Sequence, residues 1–450
     1  MKPNILLINC DDLGYGDLSC YGSTKNNTPV LDKLAKEGIR FTDFYVASPV
    51  CSPSRASLMT GCYPPRISCN DFLGNWVLFP GDSVGLNPDE TTIADVLRNV
   101  GYSTMLVGKW HCGDQKDFLP TNHGFDSYYG LPYSNDMGIQ KGARRTFPPL
   151  PLVENEEIVQ EQPDQAALTE RYLEQSIKFI RRNKENPFFL YLAHMYVHVP
   201  VYVPYQMLKE GQTRYSAGVE YVDLVTGAIL DELEKLGLRE NTLILFTSDN
   251  GSRDDNGQSN APLRGTKATT WEGGQRVPLI ANWKGKIEGD KQQGGIISSI
   301  DLCPTLAAIA GADMPQDKII DGENQSELLL GNSEKSIRDT FLYFGRYSLE
   351  AVRRGDYKLH VLKGKQEVKY LYNLREDIAE KNNIYDEYPN IVHELNEIIK
   401  RAREDVGDIG LGIEGKNVRP IGRVDNPDTL THYDENHHYI IAEYDLEERG

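Results

Sequence analysis

The chain has 450 residues, 39% hydrophobic and 25% charged, a globular composition sufficient for one large α/β domain with an appendage or for two or three ordinary domains. Its formal net charge of −18, from 48 basic and 66 acidic side chains, argues against broad binding to nucleic acid or to an acidic membrane. Seven cysteines, an odd number with no Cys-x-x-Cys pair, argue against a disulfide framework and a thiolate zinc site. The most apolar stretches are broken by His, Pro or Asp and do not read as membrane spans.

The first element, NILLINCDD (4–12), is an apolar strand closed by two acids. A helical pattern follows in NTPVLDKLAKEGIR (27–40), with apolar spacing near 3.6 residues. The segment ASPVCSPSRASLMTG (47–61) predicts two helical turns, with Ser52 as N-cap, Pro53 at the first helical position and Gly61 as terminator. Cys51 then sits at a helix N-terminus, where the dipole favours an anion, and Arg55 returns to its side. A cysteine-phosphatase loop is excluded, because it needs a longer gap than the three residues between Cys51 and Arg55.

Further on, a helix (91–101) leads into the strand YSTMLVGKWH (102–111). Lys109 and His111, two apart on an extended segment, are expected to face one pocket with Trp110 turned inward. A helix (165–184), the strand FFLYLAHM (188–195), a helix (216–237) and the strand TLILFTSDNG (242–251) continue the alternation. His198 is expected in a loop beyond its strand as a functional residue, with His194 supporting it from within the strand. Lys267 lies in an irregular Gly/Thr-rich loop before the strand RVPLIANW. After a polar loop to about residue 338, the pattern changes to short antiparallel strands, a helix and a polar tail (415–450) of unclear structure.

Strands alternating with helices predict an α/β fold, a mainly parallel sheet covered on both faces, with its site at the carboxyl ends of the strands. Asp11 and Asp12 close one strand, and Asp249 and Asn250 close another. One such pair alone would read as turn chemistry, but two pairs on one sheet point to a hard divalent cation, calcium or magnesium.

CSPSRASLMTG resembles the signature of the type I sulfatases, Cys-x-Pro-Ser-Arg followed by Thr-Gly. NCDDLGYGDLSCYG, GYSTMLVGKWHCG, NHGFDSYYGLPYSNDMG, TSDNG, LRGTKATTWEGG and YLYNLREDIAEKNN agree with it, in an order similar to the arylsulfatase A and N-acetylgalactosamine-6-sulfatase branch. The resemblance covers roughly residues 3 to 400. It implies an alkaline-phosphatase-like catalytic domain (1–335) and a smaller C-terminal α+β subdomain with the tail (336–450).

It also implies that a maturing enzyme oxidises Cys51 to formylglycine, an aldehyde that works as its hydrate. Carried over, Asp11, Asp12, Asp249, Asn250 and the product of Cys51 would hold calcium, with magnesium as the other candidate. Arg55 would stabilise the diol, Lys109 and Lys267 would bind sulfate oxygens, His111 would hydrogen-bond the formylglycine and His198 would protonate the leaving alcohol. One diol hydroxyl attacks sulfur, and loss of the second hydroxyl's proton re-forms the aldehyde and expels sulfate.

The expected substrate is a sulfated galactose or N-acetylgalactosamine, with the 6-sulfate a candidate. Asn135, Asp136, Trp76 and Arg346 are the candidate contacts. The competing readings are a phosphonate or phosphodiester hydrolase of the same superfamily and a non-catalytic binder of sulfated glycans. No signal peptide precedes the first strand, so the expected location is periplasmic or secreted if a leader was removed, and otherwise cytoplasmic.

Overall fold

The computed structural model describes residues 2–142, 145–255 and 257–448. Its main feature is a ten-stranded sheet. In chain order the strands are β1 (Asn4–Cys10), β2 (Ile39–Phe41), β3 (Ser103–Gly108), β4 (Ser127–Gly130), β5 (Pro151–Glu154) and β6 (Glu157–Glu161). They continue with β7 (Phe188–Ala193), β8 (Thr242–Ser248), β9 (Leu279–Asn282) and β10 (Lys291–Gln293). The spatial order is β10-β2-β9-β8-β1-β7-β3-β4-β5-β6. The five central strands, β8 to β4, run parallel, and antiparallel pairs flank them on both sides.

Every residue of β1 is buried, as expected of a strand covered on both faces. Leu6, Ile8 and Cys10 pack with Leu31, Leu34, Tyr172, Phe179 and Val222 from the helices Pro29–Lys36, Leu168–Arg182 and Arg214–Lys235. Ile5 and Leu7 point the other way, into a core with Ala56, Leu58, Ile93, Leu97, Leu302 and Leu306. Side chains alternate across a strand, so one sequence run supplies both cores.

The register then assembles a site. Cys10 pairs with Ser248, Asn9 with Ala193 and Gly108 with Ala193. β8, β1, β7 and β3 therefore end at one level. Asp249–Asn250, Asp11–Asp12, His194–His198 and Lys109–His111 leave the sheet side by side, at its carboxyl edge.

The C-terminal subdomain is a four-stranded antiparallel sheet, β11 (Thr340–Phe344), β12 (Leu349–Arg354), β13 (Tyr357–Lys363) and β14 (Gln366–Asn373), covered by the helix Pro389–Val406. Leu395 and Ile399 of that helix join Phe341, Tyr343 and Ala351 in a third core that also contains Tyr45. Buried ion pairs tie the units together: Arg353 to Asp43 at 2.6 Å, and Lys358 to Glu272 at 2.8 Å. The tail does not trail away. Gly422–Arg423 pairs with Val84–Gly85, and Tyr444 is completely buried against the large unit.

Candidate active site

Cys51 opens the helix Cys51–Thr60, all ten residues of which are buried. The N-cap is Val50, in extended conformation, rather than the expected Ser52. Ser52 lies inside the helix because its hydroxyl has another task, accepting the Leu78 N–H at 3.1 Å. That bond holds the 76–79 segment beside the helix. Gly61 ends the helix in the left-handed region, with φ of 72°, as its sequence position predicts. Arg55, one turn in, donates from Nε to Asp249 Oδ2 at 2.8 Å and from Nη1 to the Lys109 carbonyl at 2.8 Å. It thereby fixes two strand ends relative to the helix.

Cys51 Sγ lies 3.4 Å from Asp11 Oδ1. Lys109 Nζ donates to Asp11 Oδ2 at 2.5 Å, and Lys267 Nζ donates to Asp12 Oδ2 at 2.8 Å. Asn250 Nδ2 donates to Asp12 Oδ1 at 2.7 Å, and Asp12 holds an unfavourable φ of 60° that turns its carboxylate into the cluster. Burial opposes the charge on Asp11, but Lys109, His198, Arg55 and Lys267 outweigh it and hold the carboxyl well below the ordinary range. Burial pushes Asp249 up to about 6 against the pull of Arg55, with the Asp11 charge adding to the rise.

Three carboxylates so crowded, beside a buried Asn250 Oδ1 with no hydrogen-bond partner, make a hard oxygen donor set. Ligand atoms of Asp11, Asp12, Cys51 and His198 all lie within 4.8 Å of one another. The residues fit a divalent cation of the calcium or magnesium kind, whose charge would also relieve the carboxylate crowding.

Lys109 and His111 do reach the same region, but not by strand alternation. The strand ends at Gly108, and His111 has φ of 60°, so the two sit on the irregular segment beyond the strand. Trp110 is turned inward, donating Nε1–H to the Phe118 carbonyl at 2.8 Å. His111 Nε2 lies 3.0 Å from the Leu78 carbonyl, which makes it the donor nitrogen. Its buried Nδ1 has no partner. Burial and then Lys109 hold His111 well below the ordinary histidine range.

His198 Nδ1 is 3.0 Å from Asn135 Oδ1, and its Nε2 lies 3.5 Å from Ser134 Oγ. Ser134 also accepts from Lys109 Nζ at 3.0 Å. Burial, then Lys267, lowers the His198 pKa, while Asp11 and Asp12 pull it up. Ser134 went unnoticed in the sequence, where a serine beside Asn135 carries no signal of its own. His194 is completely buried with both ring nitrogens unpartnered, and it is absent from the cleft wall.

These groups floor a cleft of about 520 Å³, with Cys51, His111, Ser134, His198 and Lys267 at its base. Trp76, Phe79, Met137 and Phe147 form apolar walls, and Phe79 and Phe147 stack at 6.1 Å. Asp136, Arg253, Asp254 and Asp255 also line the cleft. Two of the substrate candidates do not line the cleft. Asn135 is buried, and its amide is engaged by His198, Gln165 and the Pro200 carbonyl. Arg346 lies outside the cleft lining: it donates to the Gly74 carbonyl and sits 3.6 Å from Asp71, bracing the loop that carries Trp76.

The family model described as Sulfatase matches residues 3–312, and a second, described as N-sulphoglucosamine sulphohydrolase, C-terminal, matches residues 266–405. Arylsulfatase G of Canis lupus familiaris is 34% identical, covering 92% of this chain and 86% of its own. N-acetylgalactosamine-6-sulfatase of the same species is 39% identical, covering 80% and 71%. Among solved structures, the PsFucS1 sulfatase from Pseudoalteromonas sp. is 30% identical with a TM-score of 0.80, covering 89% of this chain and 90% of that one.

Proposed function

This chain belongs to the sulfatase family and is a sulfuric ester hydrolase, and on that premise we propose that it removes sulfate from a carbohydrate using formylglycine made from Cys51. One observation carries the reading. Cys51 opens a buried helix at the floor of the cleft, 3.4 Å from Asp11, with Lys109, Lys267, Arg55, His111 and His198 around it. A buried thiol facing a carboxylate is a poor nucleophile: burial, then Asp11, pushes its pKa well up. The position makes sense for its oxidised product, whose hydrate supplies two hydroxyls, one to attack sulfur and one to let the aldehyde re-form.

Asp11, Asp12, Asp249 and Asn250, with that product, would hold a calcium ion, which supplies Lewis-acid charge near the sulfate. Lys109 and Lys267 donate to sulfate oxygens and neutralise the charge those oxygens carry through the transition state. His111, with Nε2–H held by Leu78, offers Nδ1 as acceptor to a formylglycine hydroxyl. His198 presents Nε2 to the leaving oxygen and gives it a proton. The walls of Trp76, Phe79 and Phe147 suit the apolar face of a sugar ring, and Asp136 suits its hydroxyls. The similarity to N-acetylgalactosamine-6-sulfatase favours a galactose-type ring with a 6-sulfate.

Mass spectrometry of the Cys51 peptide from the native host tests the proposal. An aldehyde in place of the thiol, with turnover of a 6-sulfated N-acetylgalactosamine abolished in Cys51→Ala, is the expected result. An intact thiol in fully active enzyme overturns the formylglycine reading. Turnover of a phosphodiester well above that of the sulfate ester overturns the assigned substrate class.

A further inference from the structure

The Asn135 amide has a fixed orientation. Its Nδ2 donates to the Pro200 carbonyl at 3.1 Å and to Gln165 Oε1 at 2.9 Å, and a backbone carbonyl accepts only. Its Oδ1 is therefore the atom that faces His198, so His198 Nδ1 carries a hydrogen. Gln165 is oriented in turn, because its Nε2 donates to the Asn135 carbonyl at 2.9 Å. The second hydrogen of that Nε2 is within reach of the Tyr444 hydroxyl, which itself donates to the Pro163 carbonyl at 2.9 Å. Asn135, Gln165 and Tyr444 are all at least nine-tenths buried.

Tyr444 comes from the tail. The tail is held there by Lys141 N–H donating to the Tyr444 carbonyl at 3.2 Å, by Gln140 Nε2 donating to the Leu446 carbonyl at 2.8 Å, and by the Tyr202 ring at 5.9 Å. Ring and tail pack directly over Gly138, where an added Cβ would lie 3.1 Å from a Tyr444 ring carbon.

We propose that Gln165 and the tail residue Tyr444 are positioning residues for His198, acting through Asn135 to keep its Nδ1–H engaged and its Nε2 aimed into the cleft. The inference rests on His198 being the group that protonates the leaving alcohol. As the S–O bond breaks, its electron pair goes to the leaving oxygen. The proton on Nε2 of the doubly protonated ring moves to that oxygen, giving a neutral alcohol and a ring protonated on Nδ1 alone. Solvent returns the proton for the next turnover. The relay prevents a ring flip that would present the wrong nitrogen.

The test compares two sulfate esters in the fully modified enzyme. A sugar sulfate leaves as an aliphatic alkoxide and needs the proton, whereas 4-nitrophenolate leaves without one. In Gln165→Ala, the ratio of kcat for a sugar 6-sulfate to kcat for 4-nitrophenyl sulfate is expected to fall about tenfold or more, and in Tyr444→Phe about threefold. Tyr444→Phe keeps the ring and removes only the hydroxyl, so packing is retained if Gln165→Ala folds poorly. A general structural loss lowers both rates together and leaves the ratio unchanged, and that result overturns the proposal.

His198→Ala separates the two layers. If it too leaves the ratio unchanged, the role of His198 itself is wrong. If it lowers the ratio while Gln165→Ala and Tyr444→Phe do not, the relay alone fails.

Discussion

Lys109 is as deeply placed as a lysine can be, completely buried with its ammonium on Asp11, while Lys267 is 13% exposed on its side chain and bonds to Asp12. The two proposed sulfate ligands should therefore respond differently to loss of charge. In metal-free protein, Lys109→Met leaves Asp11 buried without its nearest cation and is expected to cost about 3–5 kcal/mol. Lys267→Met, nearer solvent, is expected to cost under about 2 kcal/mol. Urea denaturation of the two variants gives the comparison, and equal losses would contradict it. Both should lower sulfate-ester turnover by about a hundredfold or more, since each removes a donor to the charge that the sulfate oxygens carry through the transition state.

The strand end that carries Lys109 is built on glycine. An added Cβ on Gly108, at φ of 112°, would lie 1.8 Å from the Ala193 carbonyl oxygen, between β3 and β7. Gly108→Ala is expected to force those strands apart where Lys109 and the His198 loop leave them, losing several kcal/mol and most soluble yield. Gly101→Ala is the control: its φ of 90° is also left-handed, but an added Cβ meets nothing within 4 Å, so only about 1–2 kcal/mol should be lost. Thermal melting distinguishes the two.

Elements of this kind were legible in the sequence, since apolar periodicity and terminal glycines foretell the helices Pro29–Lys36, Ile93–Asn99 and Arg214–Lys235 to within a few residues. Ser52 was not legible as a helix-interior residue, because its partner Leu78 arrives from 26 positions away. The positive φ at His111 was equally hidden, because alternation assumes a strand that continues.

At the scale of the whole molecule, two histidines among the described residues, His123 and His194, are buried as neutral bases with no hydrogen-bond partner on either ring nitrogen. Burial lowers them to about 3 and about 4 from the ordinary value of 6.5. Between those values the unfolded chain binds protons that the folded chain refuses. The stability they permit is complete above pH 6.5 and is lost as pH falls toward 4. At pH 5 each should cost about 2 kcal/mol relative to neutral pH. Denaturation midpoints at pH 7.5 and 5 should differ less in His123→Phe than in the parent; an unchanged difference would rule out this origin.

The tail was the least legible part. Nothing local in a polar stretch ending near IIAEYDLEE marks Tyr444 as core, because the groups it meets, Pro163, Gln165 and Gly138, lie about 280 to 306 positions earlier. Cys51, Arg55 and the strand-end acids were legible because their spacing is local. The links from His198 through Asn135 and Gln165 depend on tertiary packing alone.

The helix Cys51–Thr60 has no exposed residue, and Cys51 itself is 2% accessible. A macromolecular oxidant that must grip this segment cannot reach it once the chain is compact. On the proposed formylglycine reading, editing of the thiol therefore has to precede folding, and the fold then seals whichever state it received. A population made without enough maturing enzyme would be a permanent mixture of live and dead molecules, identical in shape. Its specific activity would record how fast the chain folded relative to how fast it was modified.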